Sequence, residues 1–274
     1  GTFFFYSKAM AAEINDFSVT IQVNADSTLN ITEKIAYDFG AEAKHGIYRD
    51  IPARYLARGG NYNLRFSDIS VTDGEGAPLT FSAQNYGSAK RIKIGDAATD
   101  VTGVKEYVIK YRIGRAINYF NDRDEIYWNA TGNDWDVPIR QAKAAVILPQ
   151  SVSEQAIKSN CYAGAAGVNA SCLSDRFVYS GPGEINQIVF THDRLNAKEG
   201  LTFVISLPPG IMQKPSQASL IFETIRDNWV LGLPIIALAV MFYLWHSRGR
   251  DPEGRGTIVA QYDAPDGLSP AEVG

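Results

Sequence analysis

Histidine, cysteine and methionine are scarce in this chain, at three, two and three residues in 274. His45, His192 and His246 lie far apart, so no metal triad is visible, and Cys161 and Cys172 have no third sulfur or nearby imidazole to complete a tetrahedral site. There is no G-x-S-x-G, no phosphate-binding loop and no dinucleotide fingerprint, and no cofactor is implied. Neither sign of charge dominates: 26 basic against 30 acidic residues leave a net charge of −4, which gives no footprint for nucleic acid.

One long uncharged run stands against these shortages. Trp229 to Trp245, WVLGLPIIALAVMFYLW, carries no charge over seventeen residues. At about 1.5 Å per residue it makes roughly 25 Å of helix, the lower limit for a bilayer core of about 30 Å. Trp229, Tyr243 and Trp245 mark its ends, where amphipathic rings favour the headgroup layer. Pro234 falls near its start, where a mild kink is expected rather than a break. Arg248, Arg250 and Arg255 follow the run, against Lys214 and Arg226 before it, which places the C-terminus in the cytoplasm. At the other end, the apolar Phe3 to Tyr6 and the A-x-A of Ala9, Met10 and Ala11 read as the remnant of a signal peptide over residues 1–11, so the domain that follows is expected outside the cytoplasm.

That domain, residues 12–208, alternates apolar and polar residues with period two: Phe17, Val19, Ile21, Val23; Leu29, Ile31, Glu33, Ile35, Tyr37, Phe39; Tyr107, Ile109, Tyr111, Ile113. Shorter runs around 64–71, 91–94, 125–130, 143–148, 176–179, 186–191 and 201–206 are separated by Gly, Pro, Asn and Asp. The expected fold is mainly β, an antiparallel β-sandwich followed by one transmembrane α-helix. Cys161 and Cys172, eleven apart, are spaced to close a loop by a disulfide worth on the order of 3 kcal/mol in an oxidising compartment. Residues 209–228 form a juxtamembrane segment, amphipathic from Ser216 to Asn228. Residues 246–274 form a linker rich in Gly, Pro and Asp, cut short where Ser269 and Pro270 begin a helix.

Two segments are candidates for a ligand site. In FNDRDEIYWNATGNDWDVPI, residues 120–139, Trp128, Asn133, Asp134, Trp135 and Asp136 offer rings and oxygens to a saccharide or an ion. The same stretch leaves open a glycosidase-like hydrolase with its acid and base among Asp122, Asp124, Glu125, Asp134 and Asp136, and also a plain set of turn caps and core aromatics. In KHGIYRDIPARY, residues 44–55, His45, Tyr48, Arg49 and Asp50 fall in a loop between strands, where they contact a partner or pair locally as Arg49 with Asp50.

TEKIAYDF followed by HGIYRDIP, then DEIYWNATGNDWDVPI, LTFVISLPPG before the anchor and RGRDPEGRGTIVAQYDAPDGLSPAEVG behind it resemble the YciQ-like bacterial membrane proteins of unknown function. Tyr262-Asp263-Ala264-Pro265 departs from the Tyr-Glu-Pro-Pro of that family. The resemblance implies an exported β-rich domain, a membrane span and a cytoplasmic continuation, and it carries no catalytic residues. The combined expectation is a binding module rather than an enzyme, with the bilayer and a protein partner or envelope ligand as its contacts; a structural spacer is the third possibility. A membrane-impermeant maleimide added to intact cells should label Cys161 and Cys172 only after an impermeant reductant. Labelling without reduction contradicts the disulfide, and labelling only after lysis reverses the topology.

Overall fold

The computed structural model describes residues 11–57, 60–168, 170–249 and Ser269. The expected signal-peptide remnant apart from Ala11, and the expected 246–274 linker apart from residues 246–249 and Ser269, lie outside the described residues, Arg250 among them. The described strands are β1 (Glu13–Val23), β2 (Leu29–Asp38), β3 (Ile47–Pro52), β4 (Arg54–Ala57), β5 (Gly60–Asn63), β6 (Arg65–Asp73), β7 (Phe81–Tyr86), β8 (Ala89–Ile94), β9 (Val104–Gly114), β10 (Ile117–Tyr119), β11 (Asp124–Asn129), β12 (Ala142–Ser153), β13 (Lys158–Ala165), β14 (Ser174–Gly181), β15 (Glu184–His192) and β16 (Glu199–Leu207). Two helices follow, α1 (Gln217–Asp227) and α2 (Leu233–Arg248).

Seven strands form one sheet in the order β14-β15-β12-β1-β2-β9-β6. Every second residue of its central strands faces one core: Phe17, Ile35 and Tyr107 lie abreast, then Ile21, Ile31 and Tyr111, then Val23, Leu29 and Ile113. This is the face that the period-two pattern marks. A four-stranded sheet, β10-β11-β16-β13, supplies apolar residues to the same core, and Phe203 of β16 stacks on Phe190 of β15 with ring centroids 4.9 Å apart. A three-stranded sheet, β3-β8-β7, and the β4-β5 hairpin complete the β layers.

The mainly β architecture agrees with the sequence reading, with one correction to its antiparallel character. β1 and β12 pair in parallel, Phe17 beside Ala142 and Ile21 beside Val146. A parallel neighbour needs a crossover, and the whole chain from residue 24 to 141 supplies it. The β3 segment was also expected to be a loop; Ile47, Arg49 and Ile51 instead alternate inward on a strand paired with β8. Cys161 on β13 and Cys172 are joined in a disulfide with Cα atoms 5.4 Å apart.

The compact unit formed with these sheets extends through Asp227 and so includes α1. A polar clamp explains why. Asp227, 2% exposed, accepts from the Asn63 backbone amide at 3.1 Å, from Asn63 Nδ2 at 2.9 Å and from Arg65 Nη2 at 2.7 Å, and it also pairs with Arg115. Glu223, one turn earlier, pairs with Arg65 and lies 3.5 Å from Arg115. The Arg115 guanidinium lies over the Tyr62 ring at 4.2 Å. Burial alone raises the Asp227 carboxyl, but its bonds to Asn63, Arg65 and Arg115 outweigh this and hold it well below the usual carboxylate range. A carboxylate with a lowered folded pKa stabilises fully above its unfolded value, about 3.9, and loses that contribution as pH falls through the folded value. The clamp is therefore insensitive to pH across the neutral range.

The second unit begins at Asn228. Trp229–Gly232 forms a 3-10 turn, and α2 continues to Arg248 with Pro234 in its first turn, where a missing N–H costs nothing. The helical stretch Trp229–Arg248 is long and apolar enough to cross a membrane, three residues longer than the uncharged run. Trp229, Tyr243 and Trp245 are all more than half exposed, as are Ile235, Leu238 and Met241, an arrangement suited to lipid rather than to water.

Candidate functional site

Glu33 occupies an inward position in the apolar series of β2, and it is completely buried. A lone buried carboxylate costs several kcal/mol, so its partner has to come to it. Arg49 of β3, 1% exposed, provides a bidentate pair: Nε donates to Glu33 Oε2 at 2.7 Å and Nη2 to Oε1 at 2.8 Å. Tyr111 on β9 donates its hydroxyl to Oε1 at 2.6 Å. The other Arg49 donors reach backbone carbonyls, Nη1 to Asp50 at 2.9 Å and Thr131 at 2.8 Å, and Nη2 to Ala130 at 3.0 Å. All five guanidinium N–H groups are thereby used. Burial opposes the Arg49 charge, yet the field of Glu33 outweighs it and its pKa is raised; Tyr111 is pushed well above its ordinary value by burial and by Glu33.

This cluster fixes the loop after β11 against β3. Thr131 O accepts a second bond from Trp135 Nε1 at 2.9 Å, and the Trp135 ring meets Phe17 edge-on at 5.9 Å. Gly132 sits at φ +77°, and a Cβ there would lie 2.5 Å from Arg49 Nη1. Asn133 donates from Nδ2 to the Gly164 carbonyl at 3.0 Å and accepts from Asn129 Nδ2, which ties the loop to β13. Lys198, itself at φ +68°, donates to the Asp134 carbonyl at 3.0 Å and pairs with Asp136 at 2.7 Å, and that bond to Asp136 raises its pKa.

The two candidate segments consequently meet at one cavity of about 480 Å³. Tyr48, Arg49 and Asp50 line it from β3; Asp134, Trp135 and Asp136 line it from the loop, with Tyr37, Glu42 and Arg91 at its wall. Tyr48 is 55% exposed. The Arg91 guanidinium lies 5.1 Å from the centroid of the Tyr48 ring and 3.5 Å from that of Tyr86, and holds Asp50 through bonds of 2.7 and 2.6 Å. Burial, reinforced by Asp136 and Glu42, raises the Tyr37 phenol.

Several expected site residues have other positions. Arg49 is not paired with Asp50, which belongs to Arg91, and it is a buried strut rather than a loop contact. Trp128 is 3% exposed in the core, with its indole Nε1 lacking a protein acceptor, and is not among the residues lining the cavity. Asn133 serves the loop backbone. His45 flanks the cavity and lies 3.3 Å from Asp100 at the surface. Of the carboxylates considered for hydrolysis, Asp122 and Glu125 face Arg123, and Asp124 is buried, its carboxyl raised by that burial against a bond from the Gly210 amide; none of the three lines this cavity. Glu33 and Tyr111 stand in the alternating series without being assigned to a site, and Arg91 is not among the expected site residues, although a Glu in an otherwise apolar inward series is itself the signal of a buried partner.

A mainly β domain that carries a lined cavity, continues into a clamped helix and is followed by one apolar helix defines a class: membrane proteins with a folded domain ahead of the span. The chain belongs to the family described as Predicted membrane protein (DUF2207) N-terminal domain, matched over residues 13–207. It is 28% identical over 132 residues to the uncharacterized protein YciQ of Escherichia coli (strain K12), a match covering 47% of this chain and 21% of that protein. Among solved structures, leukotriene A4 hydrolase of Saccharomyces cerevisiae superposes with a TM-score of 0.41 at 10% identity, over 71% of this chain and 29% of that one. An M1 zinc metallopeptidase of Deinococcus radiodurans gives 0.38 at 9%, over 70% and 42%. Scores this low assign neither fold nor activity.

The contact at Gly132 gives a direct check on the loop anchor. Gly132→Ala should lose about 2–4 kcal/mol in denaturant unfolding, against about 1–2 kcal/mol for Gly76→Ala, where φ is +94° but nothing lies within 4 Å. Equal losses would mean that Arg49 does not press on the loop.

Proposed function

We propose that this chain is a membrane-anchored binding module whose domain faces away from the cytoplasm and takes an envelope saccharide in the cavity between β3 and the 130–137 loop. The observation that carries the reading is the convergence of Tyr48 and Asp50 with Asp134, Trp135 and Asp136 on one open site. Sugar recognition needs a flat apolar face and acceptors for hydroxyl groups. The half-exposed Tyr48 ring, with Arg91 beside it, supplies the first, and the carboxylates of Glu42, Asp134 and Asp136 supply the second. Among the described residues, no group of three His, Cys, Asp or Glu is placed to hold a metal, which favours acceptors over ion ligands here. The Cys161–Cys172 disulfide supports an oxidising compartment for the domain. Binding rather than catalysis is the preferred reading because, of the five carboxylates considered for hydrolysis, Asp122, Asp124 and Glu125 lie outside the cavity, and of the two that line it Asp136 is engaged by Lys198.

The test is a melting series on the full chain in nanodiscs with peptidoglycan fragments and lipopolysaccharide-derived oligosaccharides. A ligand at a hundred times its Kd stabilises the folded state by about 2.7 kcal/mol. One saccharide class should raise the Tm, and Tyr48→Ala or Asp134→Asn, both at exposed side chains, should abolish the rise without lowering the ligand-free Tm by more than a degree or two. No rise with either class, or a rise that both variants retain, would overturn the assignment.

A further inference from the structure

α1 has two faces with different fates. Glu223 and Asp227, four residues apart, are gripped by Arg65, Arg115 and Asn63, so one stripe of the helix is fixed to the domain. On a 3.6-residue period Ala218, Ile221, Phe222 and Ile225 fall on the opposite side, and Ile221, Phe222 and Ile225 are 59%, 64% and 63% exposed. Three large apolar side chains held out on a rigid helix are costly in water, at roughly 25 cal/mol per Å². The chain itself indicates what covers them. Only Asn228 separates Asp227 from Trp229, the first residue of the apolar stretch, and at 3.8 Å per residue the end of α1 cannot stand more than about 8 Å of chain from the start of the span.

Beside α1, on the domain, lies a groove of about 360 Å³ lined by Arg54, Arg65, Lys90 and Arg226. Asp227 is the acidic residue in that lining, and it is already engaged by Arg65 and Arg115. Arg54 and Lys90 bond to the neutral side chains of Asn63 and Asn85, which leaves their charge uncompensated. A cationic groove next to an exposed apolar stripe is the pattern of a surface that meets anionic lipid, each basic residue near such a surface contributing about 1 kcal/mol.

We propose that α1 is an interfacial helix: Ile221, Phe222 and Ile225 enter the headgroup boundary of the bilayer, and the Arg54–Lys90 groove takes the phosphate of an anionic phospholipid. The Arg65 and Arg115 clamp then transmits this seating to the β domain, which is docked on the membrane rather than tethered to it. This is independent of the saccharide reading, since it uses none of the cavity residues.

The test uses the full chain in nanodiscs of phosphatidylcholine alone or with phosphatidylglycerol. Cys161 and Cys172 are joined, so Phe222→Cys introduces one reactive thiol for an environment-sensitive fluorophore, and Tyr179→Cys, 51% exposed on the edge strand β14 far across the sheet from β6, is the aqueous control. In discs with phosphatidylglycerol, the ratio of quenching by a nitroxide lipid to quenching by iodide should be at least threefold higher at position 222 than at 179. That ratio should fall at least twofold in phosphatidylcholine discs, and equally in Arg54→Gln/Lys90→Gln with phosphatidylglycerol present. Iodide quenching at 222 matching the control would overturn the interfacial helix. Lipid quenching unchanged by phosphatidylglycerol or by the double variant would overturn the headgroup site.

Discussion

The buried Glu33–Arg49 pair is the constraint on which the rest of the arrangement depends. A carboxylate and a guanidinium with 0% and 1% exposure stand inside a largely apolar core. Replacing such a pair with hydrocarbon is often neutral or stabilising, whereas removing one partner typically costs about 3–5 kcal/mol. Stability alone therefore does not account for its presence. What it provides is direction: a guanidinium with five donors in a fixed fork can satisfy Glu33 on β2 and the carbonyls of Asp50, Ala130 and Thr131 only if β3 and the loop after β11 take one position relative to the large sheet.

The cavity is a consequence of that positioning. Period-two alternation places Tyr48 and Asp50 outward because Arg49 points inward, and Trp135 is pinned through the same Thr131 carbonyl that Arg49 uses. Asp134 and Asp136 then project on either side of the buried Trp135. The polar core is thus the support, and the exposed neighbours of its members form the lining. A comparable logic operates at α1, where buried Asp227 sets the helix orientation and the opposite apolar stripe is presented outward.

Much of the fold was legible in the sequence. The long strands β1, β2 and β9 bury one face against a single core, so alternation reveals them directly, and the apolar helix declares itself by length. The short strands β3, β4, β5 and β10 were not, because four or so residues rich in Tyr, Arg and Asn carry little periodic signal, and the parallel pairing of β1 with β12 is decided by contacts more than a hundred residues apart. Both site segments could be read from composition, but their meeting could not. Inward or outward direction is the other loss: Arg49 looks like a loop contact and Trp128 like a platform until the strand register turns both into the core.

The measurement that bears most directly on this account is native-state hydrogen exchange on Arg49→Lys, which keeps the charge opposite Glu33 but has no fork. The account predicts that protection falls at the amides of Ala130 and Leu201, whose partners are the Leu201 carbonyl and the Thr131 hydroxyl, and along Ile47–Pro52, while β12 and β15 keep theirs. A loss spread evenly over all strands, or none in the loop, would contradict the claim that this one guanidinium places the cavity.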